Sequence, residues 1–386
     1  MIYADFHIHI GRSLNGKAVK ITASPSLTLP EIIKVSSKVK GLNMIGIVDS
    51  HSLGVRRDFQ ELLCAGMIRP LSGGGYGAGS LTIIPGMEVE LKVRHGHAHL
   101  LAFFPSMNHL EKHLSAIQPY ARNWQLSSQK LYMEIGEWIE RVEEAEGIWF
   151  PAHAFTPHKG IYGICCDRMR DVLPKLPQAL EMGLSSDRRM ARGVSELAGT
   201  VLLSNSDAHS LLNIAREYNE IRITENSFSE LYGFLKEGKD QLIKNFGIHP
   251  KMGKYYRTYC PQCAKIIELD PPVGSCPYCK TSQVIMGVLD RVSQITDTEI
   301  ERDEADPQYV YRVPLGWLPG IGPKKYELLL QRFGSELDVY HQATLDQLIP
   351  VLGETAAHTV IKAQEGKLRF STGGGGIFGK VSDIIR

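Results

Sequence analysis

The 386-residue sequence lacks several things, and each absence narrows its class. It has no uninterrupted apolar run of about 18 residues, so no membrane-spanning helix and no membrane partner are expected. The N-terminus has no basic stretch followed by an apolar core, so no secretory leader is expected. Net charge is nearly absent: 43 Lys and Arg stand against 42 Asp and Glu. No bulk field draws the chain to nucleic acid, and any such binding must come from local patches. Cysteine is scarce, at seven residues, and the number is odd. Four of the seven form two Cys-x-x-Cys pairs, and Cys165 and Cys166 are adjacent. That is metal-binding usage in a reducing compartment, not a disulfide framework, and a cytoplasmic location is expected. Hydrophobic residues at 43% and charged residues at 22% give an ordinary globular balance, with length for two or three domains.

What is present is organised around Asp5-Phe6-His7-Ile8-His9. Apolar and polar residues alternate there, so a half-buried strand is expected with His7 and His9 on one face. Two imidazoles and a nearby carboxylate suit a divalent metal, with Asp5 binding directly or orienting a ring. Short apolar runs ending in Asp, Glu or His recur: Asn43–Val48 before Asp49 and His51, Leu81–Ile84 before Glu88, Gly147–Phe150 before His153, and Thr200–Leu203 before Asp207 and His209. The run 97–104 instead carries His97 and His99 at its start. With Ala179–Ser185 and Glu220–Thr224, about seven or eight strand candidates precede residue 226. Helical stretches separate them, which implies parallel strands and crossover helices. An irregular α/β barrel with its chemistry at the strand ends fits better than a doubly wound sheet.

Leu29 to about Lys40 should be a helix, and residues 226–245 a last one; Trp138, Ile139, Val142 and Ala145 show helical spacing. The segment 247–258 reads as a linker, and Asp297 to Asp306 as a solvated acidic one. Ser72–Ser80 reads as a mobile surface loop, or as a loop over a substrate cleft.

His7, His9, His51, Glu88, His99, His153, Asp207 and His209 together offer enough N and O donors for two or three divalent metals, Zn, Mn or Mg. Closely spaced metals suit phosphoester hydrolysis, because they activate a water and neutralise the attacking and leaving oxygens. Asp-Phe-His-Ile-His, Val-Asp-Ser-His, Gly-Met-Glu, His99, His153 and Ser-Asp-Ala-His together resemble the PHP (polymerase and histidinol phosphatase) phosphoesterase family over residues 1–240. The resemblance implies a distorted (β/α)7 barrel. His7, His9, Glu88 and Asp207 would share one metal, Glu88, His99 and His153 a second, and His51 with His209 would help hold a third. Asp207, Glu88 and His9 would carry the chemistry, with Asp5 and Asp49 orienting the ligands. Many family members have a further Asp or His after the first motif, where this chain has Ile10 to Asn15, so the third position is open.

The C-terminal third differs in character. Cys260, Cys263, Cys276 and Cys279 have the spacing of a closed four-cysteine site for one structural zinc, within a ribbon at 255–285. Leu318 to Lys325, with Gly320, Ile321, Gly322, Lys324 and Lys325, resembles the hairpin of a helix-hairpin-helix motif that grips DNA backbone. Thr344–Lys362 continues as helix, and Gly373–Lys380 reads either as a phosphate cradle or as a flexible tail.

A PHP barrel at 1–245, a zinc ribbon at 255–285 and a helical DNA-binding region at 286–386 resemble, in that order, the endonuclease Q family of DNA-repair nucleases. The resemblance implies hydrolysis of DNA 5′ to deaminated bases (uracil, hypoxanthine) and abasic sites. It also implies a nucleoid association through DNA, and a sliding clamp is a further candidate partner. Selection of the lesion requires nucleotide flipping, with Tyr76, Trp124 and Tyr162 as stacking candidates. Two alternatives stand beside it: a phosphatase acting on a small phosphomonoester such as histidinol phosphate, and a DNA-binding protein with an idle barrel.

Overall fold

The computed structural model describes residues 1–237, 242–299 and 308–382. Ten strands position the site: β1 (Ile2–Ile8), β2 (Met44–Ile47), β3 (Leu81–Val93), β4 (Gly96–Phe103), β5 (Ile148–Pro151), β6 (Ala179–Glu181), β7 (Val201–Leu203), β8 (Tyr218–Ile221), β9 (Leu242–Gly247) and β10 (Tyr309–Tyr311). They form a mixed α/β structure in which β1, β2 and β3 run parallel, with Ala4 opposite Met44 and Ile45 opposite Ile83. Not all strands are parallel, contrary to the pattern of apolar runs. β3 and β4 form an antiparallel hairpin, β4 pairs antiparallel with β5, and β1 pairs antiparallel with β8. The reversal of β4 explains why its histidines lie at its start: that end lies beside Glu88 and Glu90, with Glu90 opposite His99.

β6 and β7 form a separate parallel pair. Asparagine side chains join it to the main sheet. The Asn205 carbonyl accepts from the Phe6 amide at 3.1 Å, Asn219 donates to the Ser204 carbonyl at 2.9 Å, and Asn245 donates to the Leu202 carbonyl at 3.0 Å. These three residues supply the hydrogen bonds that a continuous ladder would otherwise make.

β1 is buried on both faces apart from Tyr3, not half-buried as the alternation implied. Its apolar side meets the inner core, where Phe6, Phe103 and Phe150 pack together. Its polar side lines the site. Phe103 fits there because two glycines leave room: a Cβ on Gly46 or Gly86 would lie 2.5 or 2.6 Å from its ring. The helix Phe228–Glu237 packs Phe228, Leu231, Phe234 and Leu235 on the same core.

Several segments differ from the expectation. The helix over 29–40 forms, changing to a π-helix at Val35. The last helix stops at Glu237; residues 242–247 are β9, recruited between β8 and β10, and 238–241 lie outside the described residues. β10 thus returns to the first sheet after the ribbon. Ser72–Ser80 is neither mobile nor over the site: Tyr76–Ala78 pairs with β3, and the buried Tyr76 hydroxyl accepts from the Met107 amide at 2.9 Å. The segment 247–258 is packed, with Ile248, Met252 and Tyr256 buried. Asp297 is not loose either, since Arg168 pairs with it at 2.7 Å; residues 300–306 lie outside the described residues. Gly373–Lys380 is held by amide bonds from Gly373 to the Lys251 carbonyl and from Gly379 to the Met252 carbonyl.

The ribbon is a short hairpin, Tyr259–Cys260 against Lys265–Ile266. Buried Asp290, on the helix Val288–Ile295, accepts from the Thr258 hydroxyl at 2.7 Å and the Val273 amide at 2.9 Å, tying the ribbon to the body. Helices Pro323–Phe333, Glu336–Gln342, Leu345–Leu352 and Glu354–Gln364 share a separate apolar core. Among the described residues no helix is long and apolar enough to cross a membrane.

Candidate functional site

Seven of the eight expected ligands converge in three overlapping groups: His7 with His9 and Glu88; Glu88 with His99 and His153; and His9 with Asp207 and His209. Within each group the donor atoms all lie within 4.8 Å of one another. His51 joins none of them. Its Nε2 lies 3.2 Å from the Leu126 carbonyl, which leaves Nδ1 buried without a partner.

The strongest local indication of a cation comes from β1. His7 Nδ1 lies 2.9 Å from Glu181 Oε2, and His9 Nδ1 lies 3.0 Å from Asp49 Oδ2. Each carboxylate can accept a hydrogen bond from the Nδ1–H of its ring, which leaves each Nε2 to meet a cation or a proton. Those two atoms face each other at 3.3 Å. Two lone pairs at that distance repel unless a cation or a shared proton lies between them. Asp207 Oδ1 stands 3.4 Å from both, and Glu88 Oε1 and Oε2 stand 3.6 Å from His7 and His9 respectively. On the other side of Glu88, His99 Nδ1 approaches Oε1 to 2.8 Å without hydrogen-bond geometry, and His153 Nε2 to 3.5 Å. The groups point at shared positions rather than at each other, and they fit divalent metals.

The electrostatics agree. Burial alone would raise the Glu88 carboxyl, but His99, Lys20 and His153 outweigh it and hold it well below the usual range. Burial would likewise raise Asp207, and His7, His9 and His209 hold it far down. For His7, burial works downward, yet Glu181, Asp207 and Glu88 push it up to about 10. The pocket recruits positive charge. Asp5, pushed up to about 6 by burial against the pull of its hydrogen bonds, is not a ligand. Its oxygens accept from the Ser206 amide and hydroxyl and from the amides of His7 and Ala215, bracing β1 against the loop that carries Asp207. Asp49 accepts from His9 and from the Ile10 amide.

Sequence reasoning missed three residues. Glu181 is buried at the end of β6 and orients His7, the His153 amide and Asn205 together. It follows the same rule of an apolar run ending in a carboxylate, but in a run of only two residues. Lys20 lies 3.1 Å from Glu88 Oε2. Ser128 also donates to that oxygen. Of the aromatic candidates, Tyr76 and Tyr162 are buried in the core and Trp124 stands beside His51; none lines the cavity at the centre. That cavity, about 570 Å³, is lined instead by Tyr255 and Phe378, with Arg216 and Lys254. Both cations lie against the Phe378 ring, at 5.5 and 4.8 Å.

The four ribbon sulfurs converge, with Cys260 Sγ 3.7 Å from Cys279 Sγ and Cys263 Sγ 3.8 Å from Cys276 Sγ. A tetrahedron with Zn–S bonds of about 2.3 Å has edges of about 3.8 Å, so the geometry fits zinc. In the hairpin, Gly320 turns at φ 83° and Ile321 is buried. Gly322 begins the helix Pro323–Phe333 with no side chain capping it. Lys324 is exposed, whereas Lys325 donates to the Leu352 carbonyl at 2.7 Å.

The fold and the ligand groups define a mixed α/β protein with a candidate multi-metal centre. Comparison with known proteins narrows the class. The lesion-specific endonuclease Q of Pyrococcus furiosus superposes with a TM-score of 0.83 at 28% identity, over 98% of this chain and 94% of that one. Endonuclease Q bound to a 27-mer duplex with an abasic lesion gives 0.82 at 29% identity, over 98% of this chain and 96% of that one. The uncharacterized protein YqxK of Bacillus subtilis (strain 168) is 38% identical over 388 residues, covering 98% of this chain and 99% of YqxK. No family model matches. The chain belongs to one family with YqxK, and over nearly its whole length it is endonuclease Q-like.

Proposed function

We propose that this protein nicks duplex DNA on the 5′ side of a deaminated base or an abasic site, leaving the lesion on a 5′-phosphate end. The observation that carries this reading is the near full-length likeness to endonuclease Q bound to an abasic duplex, combined with the converging ligands.

His7, His9, Glu88 and Asp207 would hold one divalent metal, and Glu88, His99 and His153 a second, with His209 beside the first. Bound there, the metals supply Lewis acidity, lowering the pKa of a water and offsetting charge on the phosphate. The chain's own groups do the rest. Asp49 and Glu181 fix the ring tautomers, so that lone pairs meet the cations. Lys254 and Arg216 bring positive charge to the wall where an anionic backbone would enter. The cavity has the volume of a small-molecule site, suited to a nucleotide swung out of the helix, and Tyr255 and Phe378 offer ring faces there. The cost of unpairing is lowest for a mispaired or missing base, which supplies part of the selectivity. The turn at Gly320–Gly322 with Lys324 would take a backbone phosphate.

The test is a labelled duplex with one deoxyuridine, deoxyinosine or abasic site, incubated with divalent metal beside an intact duplex and a generic phosphomonoester. A single nick immediately 5′ to the lesion is expected. Hydrolysis of the phosphomonoester with every duplex left whole would refute the reading.

A further inference from the structure

The sheet that carries Glu88 and His99 continues outward past the ligand cluster. β3 runs on from Glu88 to Val93, with β4 on one side of it and the strand Gln129–Leu131 on the other. Side chains two residues apart share a face of such a sheet. One face is apolar and buried: Val89, Leu91 and Val93 on β3, Ala98 and Leu100 on β4, and Leu131. The other face begins at Glu88, which accepts from the Ser128 hydroxyl, and proceeds outward in rows. The first row sets Glu90 between His99 and Lys130, and the second sets Lys92 beside His97. Tyr132 follows the short strand, 55% exposed, with Lys130 Nζ 5.7 Å and the Arg122 guanidinium 5.2 Å from its ring centre. Lys92, Lys130 and Arg122 are exposed, and among the described residues none has a carboxylate partner. Glu90, the acid beside them, is held by Lys159 at 2.8 Å, and Lys159 also lines the central cavity. The basic face therefore adjoins the cleft.

We propose that this face is a track for DNA backbone: Lys92, Lys130 and Arg122 take phosphates of the cleaved strand on the 5′ side of the scissile bond. The proposal rests on the nicking reading above. That reading puts the scissile phosphate at the ligand cluster and the lesion nucleotide, on its 3′ side, in the cavity. The 5′ arm of the strand must then leave over another wall, and the Glu88 sheet offers one of matching charge and pitch. At about 3.3 Å per residue, successive rows lie about 6.6 Å apart. Phosphates of one strand advance about 3.4 Å per step along a duplex, so the two rows fall opposite the second and fourth phosphates. Tyr132 is a positioning residue. Its ring face holds two cationic heads at one place, so less freedom is lost when they grip an anion. Such contacts fix the strand's position without reading its bases.

The test uses the full chain, divalent metal and an abasic duplex in which single uncharged methylphosphonate linkages are placed along either strand. Single-turnover cleavage gives the protein concentration at half saturation and the maximal rate. The double variant Lys92→Ala, Lys130→Ala should raise the former about tenfold and lower the salt slope by about 1.8, at about 0.9 per contact, with the maximal rate within about twofold. Neutral linkages at the second and fourth phosphates 5′ to the scissile bond should weaken binding by wild type and leave the double variant indifferent. Tyr132→Ala should weaken binding, and Tyr132→Phe, which keeps the ring, should not. A salt slope unchanged in the double variant, or the same sensitivity to neutral linkages in both proteins, would overturn the proposal. So would sensitivity confined to the other strand or to the 3′ side. Tyr132→Phe as weak as Tyr132→Ala would refute the part given to the ring. If wild type cleaves no lesion duplex at all, the nicking reading itself fails, and the proposal with it.

Discussion

Asp207 holds its carboxylate on a left-handed backbone, at φ 45°, and its own carbonyl lies 2.9 Å from His209 Nδ1. The turn aims the side chain back at His7 and His9, on a strand some 200 residues earlier in the chain, and asparagine tolerates the same conformation. Asp207→Asn should therefore keep the turn and remove only the charge. We expect single-turnover cleavage of a lesion duplex to fall by about 100-fold or more, while DNA binding stays within about twofold. Cleavage within about tenfold of wild type, at saturating metal, would show that this carboxylate is not needed for the chemistry.

Individual elements show what the sequence made legible. Glu88, His153, Asp207 and His209 could be singled out because each follows a short apolar run, a local signal. His99 fitted poorly until the antiparallel direction of β4 turned its start toward Glu88. β9 was misread as helix because Leu-Ile-Lys-Asn-Phe-Gly has neither period, and its place between β8 and β10 is a tertiary choice. Tyr255 and Phe378 could not be found locally at all: their shared wall is made by segments more than a hundred residues apart. The four cysteines were legible as one group, and they gather around a small core of Ile267 and Val273 that leaves little else to stabilise it. Zinc there should contribute ~10 kcal/mol or more to local folding. Native mass spectrometry should show this zinc persisting in a His7→Ala, His9→Ala double variant and lost in Cys260→Ser. Zinc content indifferent to Cys260→Ser would refute the site.

The junction of the helix Glu336–Gln342 with the sheet makes a different prediction. His341 stacks on Tyr3 at 4.5 Å, and its Nε2 accepts from Arg312 at 3.2 Å. Burial, then Arg312 and Lys244, push its pKa down to about 3. The fold thus prefers the neutral ring. The stability this preference contributes is present above the unfolded pKa of about 6.5 and is lost as pH falls from there toward about 3. With allowance for the partly exposed ring, the loss between pH 7 and 5 should be about 1–2 kcal/mol. Urea unfolding at both pH values should show His341→Gln, which cannot titrate, losing that much less than wild type. Equal losses would mean that the histidine titrates in the fold as it does in the unfolded chain.

At the scale of the whole molecule, the strand that carries His7 and His9 and the hairpin sit on different apolar cores, bridged by the buried Lys40–Glu336 ion pair at 2.7 Å and by Phe378, which lines the cavity and packs on the hairpin's core. That separation suggests a division of work: the hairpin grips, the cavity selects. Phosphate contacts carry affinity without base information, and each one lost lowers the slope of log affinity against log salt by about 0.9. The two hairpin lysines should not behave alike. Lys324 is exposed beside the uncapped helix start, while the Lys325 ammonium already serves the Leu352 carbonyl. Lys324→Ala should therefore weaken binding to damaged and intact duplex by similar factors and lower the salt slope by about 0.9, whereas Lys325→Ala should leave the slope unchanged. The ratio of cleavage rates on damaged and intact sites, taken under single-turnover saturation, should hold in both variants. A salt titration of binding paired with that ratio is the measurement. If Lys324→Ala changes the ratio and not the slope, the hairpin reads the lesion and the two halves do not divide the work.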